Sequence, residues 1–154
     1  MYFLLLPIHS IVRWLVLGTL LYSIYRSYRG WRRRLPFTEA DNRLRHWTAT
    51  TAHVQLIVGV TLYFISPLPS WFWSHYQEGV RVRGIRFFAM EHSLMMLVSI
   101  VLITIGSASA KRKASDIQKF RTIAIWYTVA LVLILINIPW PFSPMAGRPW
   151  IRGF

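Results

Sequence analysis

The chain has no cysteine, and only five acidic residues stand against eighteen Lys and Arg. Without cysteine there is no disulfide, no thiolate-ligated iron–sulfur cluster and no Cys-x-x-Cys-His attachment of a c-type haem. Also missing are a Gly-rich phosphate loop, a His-Glu-x-x-His helix and a strand-borne nucleophile elbow, which removes the commonest phosphoryl-transfer, zinc-protease and hydrolase signatures. No internal repeat is evident. The first apolar run has no basic residues before it and exceeds a signal h-region in length, so no cleavable signal peptide is expected.

What remains is strongly apolar and basic together: 55% hydrophobic, 16% aromatic and a formal charge of +13 over 154 residues. A basic excess alone would suggest a nucleic-acid partner. Here the cations sit in short segments between long apolar runs, which points to a lipid bilayer and not to nucleic acid. Four runs, about residues 2–25, 47–65, 87–106 and 122–138, approach or exceed the length of a transmembrane helix. The reading is a single integral membrane domain: an all-α membrane protein folded as a four-transmembrane-helix antiparallel bundle, joined by short loops.

The connections carry their own signals. Leu35 to Asp41 offers a turn and a helix cap. Ser66-Pro67-Leu68-Pro69-Ser70 ends the second span, and Pro139-Trp140-Pro141 ends the fourth. The connection from Trp71 to Arg83 is aromatic and of mixed charge, the composition of a segment at the headgroups. The tail, with Trp140, Pro144, Pro149 and Trp150, is expected at the interface too. His46 and His75 read as solvated interfacial residues. Seven Lys/Arg follow the first span and five follow the third, against three after the second and two in the tail. The positive-inside rule then places the chain in the inner (cytoplasmic) membrane with both termini on the outer, periplasmic side.

Ionisable groups inside spans are costly and are functional-site hypotheses by default. This chain has His9 and Arg13 in the first span, His53 in the second, and Glu91 with His92 in the third. His9 and Arg13 are four apart and share a helix face. Counting at 1.5 Å per residue puts His9 and His92 both ~7 Å outside the midplane, and His53 ~6 Å on the other side of it. Two neutral imidazoles facing each other across a bundle suit the axial positions of haem b, which needs no covalent link. His9, His53 and His92 are thus the candidate iron ligands, with His9–His92 the pair best matched in depth. Phe87, Phe88, Met95, Met96 and Trp14 offer packing. Arg13 or Arg86 offers charge for propionates. Glu91 and Arg13, at a similar level, read either as an internal ion pair or as part of a proton or quinone site beside the haem.

Four stretches carry a family resemblance: His9-Ser10-Ile11-Val12-Arg13-Trp14, Thr51-Ala52-His53-Val54-Gln55-Leu56-Ile57-Val58-Gly59, Glu91-His92-Ser93-Leu94-Met95-Met96 and Ile138-Pro139-Trp140. Together they resemble small bacterial membrane proteins described as cytochrome b-like, over nearly the whole chain. That resemblance implies haem b and a role in electron transfer with a quinone or other redox subunits of a membrane system. It does not say which histidines bind. Four-helix cytochromes b with two haems use four axial histidines; three in spans suffice for one haem with one left over. Two other functions fit the same residues. His9, His53, Glu91, His92 and Met96 could line a path for a transition-metal ion or protons, or the polar groups could only hold helices together in an accessory subunit.

Overall fold

In a computed structural model of the chain, described for residues 1–143, 147 and 150, every regular element is helical. Pro144 and Pro149, expected at the interface, lie outside the described residues. Four helices are long and apolar enough to cross a membrane. They are α1 (Tyr2–Arg33), α2 (Glu39–Ile65), the continuous segment Arg83–Lys111, and α7 (Asp116–Asn137). Two short helices, α3 (Pro67–Ser74) and α4 (Tyr76–Gly79), fill the connection after α2. The segment Arg83–Lys111 has three parts: α5 (Arg83–Arg86), a π-helical turn (Phe87–Glu91) and α6 (His92–Lys111).

α1 packs on α2 and α7, and α6 packs on the same two helices, so the four spans form a square with antiparallel neighbours. The core is built from small and β-branched residues around Leu20, Ala52, Ile103, Ile123, Tyr127 and Ala130. Close approach is bought by glycine at two crossings. A Cβ on Gly106 would collide with Trp126, and one on Gly30 would sit 2.5 Å from the Phe120 ring. Small residues at helix crossings are how membrane bundles gain packing contacts, because lipid supplies no hydrophobic drive between helices. Thr19 and Thr51 hydroxyls meet at 3.3 Å between α1 and α2. The outer faces are apolar, with Leu15, Leu21, Ile57, Phe64, Leu94, Val101, Val129 and Ile136 exposed, as a lipid-facing belt requires.

The helices outrun the expected spans. α1 does not stop near Tyr25 but continues through the basic segment to Arg33, ending where Arg34 adopts a left-handed conformation (φ 52°). α2 begins at Glu39, eight residues before the apolar run, because Thr38 and Asp41 form a reciprocal capping box. His46 therefore lies on a helix, not in a loop. Asp41 also takes Arg26 from α1 at 2.7 and 3.1 Å, so one carboxylate caps α2 and ties it to α1.

The same end of the bundle buries a cation that composition did not single out. Arg45 is only 6% exposed. It donates to Asn42 Oδ1 and to both the hydroxyl and the carbonyl of Ser107. Ser107 lies near the C-terminal end of α6, where the helix dipole favours a cation. Tyr127, fully buried, donates its hydroxyl to the Arg45 carbonyl at 3.1 Å. Three helices are thereby held at one point.

Candidate functional site

The other end of the bundle is where α1 and α6 begin and α2 and α7 finish, and there the span-borne histidines of α1 and α6 come together. His92 is the first residue of α6 and places Nδ1 2.8 Å from the carbonyl oxygen of Asn137, the last residue of α7. That carbonyl is one of those left unpaired by a helix ending. An oxygen that can only accept fixes the proton on Nδ1 and leaves Nε2 as the lone-pair nitrogen, the tautomer of a metal-ligating histidine. Phe87 and Phe88 flank the ring, with centroids 5.7 and 6.0 Å away.

His9 faces α2. The Gln55 amide donates to the His9 carbonyl at 3.0 Å and approaches His9 Nε2 at 3.2 Å. Gly59, one turn further along α2, makes room for the ring: a Cβ there would lie 3.3 Å from His9 Cε1. His9 Nδ1 and Gln55 Oε1 are buried without a hydrogen-bond partner, and so is Nε of Arg13. His9, His92 and Arg13 lie within electrostatic range of one another. Buried polar atoms without partners are rare in folded proteins and mark strain, a functional role or an absent ligand. Among the described residues, three of the four such side-chain atoms share this neighbourhood; the fourth is Oε2 of Glu91.

Arg13 is held by aromatic residues and a carbonyl. Its guanidinium donates to the Trp150 carbonyl at 2.6 Å, reaches Ser10 at 3.4 Å, and lies 5.4 Å from the Trp14 ring centroid. Trp14 Nε1 donates to the same Trp150 carbonyl at 3.2 Å. Trp14, Trp140 and Trp150 cluster with centroids 5.5–6.3 Å apart.

Glu91 is not paired with Arg13. Its Oε1 takes Arg86 Nε at 2.7 Å, and Arg86 also donates to the Val80 carbonyl. The π turn makes this pairing. Five residues apart on an α-helix point about 140° away from each other, whereas the i→i+5 bonding of a π turn stacks them. His92 N–H closes that turn on the Phe87 carbonyl. Of the two readings of Glu91 and Arg13, the ion pair between the first and third spans is not formed; Glu91 makes a local one with Arg86 instead.

His53 lies elsewhere. It is exposed on α2 and meets the Thr104 hydroxyl at 2.9 Å. Thr104 is twelve residues along α6 from His92, about 18 Å at 1.5 Å per residue. Among the described residues no three His, Asp or Glu side chains gather as a metal site. Met96 packs against the core. His75, exposed, stacks on Trp71 with centroids 4.9 Å apart. Gln55 is the site residue that charge-based reading passes over; a polar amide inside an apolar span was the available signal.

Comparison with protein-family models, with curated proteins and with solved structures finds no match.

Proposed function

We propose that this chain is a membrane-embedded b-type cytochrome, an electron-transfer component of a redox system in the inner membrane. In this reading His92 and His9 would hold the haem iron and His53 stands outside the site. The observation that carries the proposal is the 2.8 Å contact of His92 Nδ1 with the Asn137 carbonyl. An accept-only oxygen there leaves Nε2 free to ligate, and His9 lies within electrostatic range with unpartnered polar atoms around it.

The donor set fits the cofactor on one side and needs one rearrangement on the other. For His9 to offer Nε2, the Gln55 amide must give up its 3.2 Å contact there while keeping its 3.0 Å bond to the His9 carbonyl. Haem b would supply a one-electron carrier. The chain supplies imidazoles oriented by α2 and α7, the Phe87 and Phe88 rings beside His92, and the Arg13 cation for carboxylate groups at the same level. Positive residues clustered at the opposite end support an orientation with this site toward the outer surface, where a quinone or another redox subunit would be its partner.

The test is an absorption spectrum of the purified protein in air and after dithionite. A low-spin spectrum with a Soret band that shifts on reduction supports the reading. A colourless protein purified from haem-replete cells, taking up no added haem, overturns it.

A further inference from the structure

At the basic end of the bundle, α1 leaves the apolar layer and keeps going. Its 32 residues make a rod of about 48 Å, against a hydrocarbon core of about 30 Å. The overhang from Tyr25 to Arg33 rises through the level of the phosphates. Tyr25, Tyr28, Arg29, Arg32 and Arg33 recur there at helical spacing and line an open surface cleft of about 670 Å³, walled by this one face of α1 and with no acidic residue in its lining.

Of the carboxylates at this end of the bundle, Asp41 holds Arg26 and Asp116 holds Lys119, and Glu39 is exposed on the first turn of α2, outside the lining of the cleft. Among the described residues Arg29, Arg32 and Arg33 are exposed and none is in an ion pair. Their positions are fixed by the helix and not by a partner. Tyr28 stacks on Trp31 at 6.1 Å and accepts from Thr128 of α7 at 3.3 Å. Trp31 in turn carries Arg121 of α7 5.6 Å from its ring. The cleft is therefore built on a braced α1–α7 platform.

We propose that this cleft binds the headgroup of an anionic phospholipid. Guanidinium forks match phosphate oxygens in bidentate geometry, and two tyrosine hydroxyls stand where the ester region begins. Depth selects a lipid over a soluble anion: Tyr25 and Tyr28 are level with the headgroups, and arginines one turn beyond can bend back to them. The inference is independent of the haem reading.

The experiment is a thermal-stability titration of the full chain in detergent with phosphatidylglycerol, phosphatidylcholine or inorganic phosphate. Phosphatidylglycerol should raise the unfolding midpoint saturably; phosphatidylcholine and millimolar phosphate should not. Arg29→Gln, Arg32→Gln and Arg33→Gln together should raise the half-saturating lipid concentration on the order of 100-fold. The equal-charge control Arg43→Gln, Arg112→Gln and Lys113→Gln, at exposed positions of the same end outside the cleft, should change it by less than about threefold. Should the cleft triple variant fail to fold, Arg32→Gln alone should give roughly a fivefold change. Equal losses in both triple variants, a saturable response to phosphate, or no saturable response in the native chain would each overturn the proposal.

Discussion

His92 Nδ1 and the Asn137 carbonyl oxygen are 2.8 Å apart, a bond from the first residue of α6 to the last residue of α7. Because the acceptor is main chain, it survives any replacement at Asn137 that leaves the helix end intact. The side chain of Asn137 is occupied separately, donating to the Leu133 carbonyl at 2.9 Å. The orientation of His92 is therefore a property of where α7 stops.

This fixes the first prediction. His92→Ala and His9→Ala should each abolish a low-spin haem spectrum, while His53→Ala and Asn137→Ala leave it. Gln55→Leu should retain the spectrum, since a His9 that held the haem would have to be free of the Gln55 amide at Nε2. It should lower the stability of the haem-free protein by about 1 kcal/mol, the net value of a hydrogen bond. Loss of the spectrum in His53→Ala but not in His9→Ala would move the second ligand to α2.

The second prediction concerns charge coupling. In a double-mutant cycle on unfolding, Arg86→Ala and Glu91→Ala should show a coupling of about 1 kcal/mol, modest because both side chains are partly solvated. Arg13→Ala and Glu91→Ala should be additive within about 0.5 kcal/mol. The reverse pattern would put the ion pair between α1 and the third span after all.

The third prediction separates two glycines. Gly106→Ala forces α6 off Trp126 and should cost about 1–3 kcal/mol by overpacking. Gly18→Ala meets nothing within 4 Å and should stabilise by roughly 0.5–1 kcal/mol through helix propensity. Thermal midpoints of the two variants in one detergent decide it.

The fourth prediction tests the junction of α1 and α2. Thr38→Ala removes one cap bond and should cost about 1 kcal/mol. Asp41→Ala removes the cap and the Arg26 partner together and should cost roughly 3 kcal/mol or more. Adding Arg26→Ala to Asp41→Ala should cost less than Arg26→Ala does alone in the native chain, because the two share one interaction. Chemical-denaturant or thermal unfolding of the four variants measures this.

The four long helices are readable from apolar run lengths, because the bilayer imposes a length and a polarity on each segment, and the turn residues of Leu35–Asp41 announce a helix cap. What hydropathy misses is partnership. Arg26 looks like the start of a loop, yet its helix continues because Asp41 receives its charge. Arg45 looks like one more loop cation, yet Ser107 and Asn42 let it be buried. Arg13 invites a carboxylate partner and instead finds a main-chain oxygen at Trp150, 137 residues away, a group present at every position and so invisible in a residue pattern. Glu91 is a different failure: its partner lies five residues upstream, a separation that helical counting rejects unless the turn is known to be wide.

That wide turn is a matter of one amino acid. A π turn holds a single residue more than the α turn it interrupts, so deleting Phe88 would let the segment from Arg83 to Lys111 wind as an uninterrupted α-helix. The flanking residues would keep their mutual angle, because Arg86 and Glu91, five apart across the π turn, would become four apart on an α-helix and stay on one face. Winding the intact sequence as a regular α-helix is what would turn them about 140° apart. The wide turn is consequently a shock absorber for length: it stores one surplus residue in the wall of the span and leaves the faces on either side aligned.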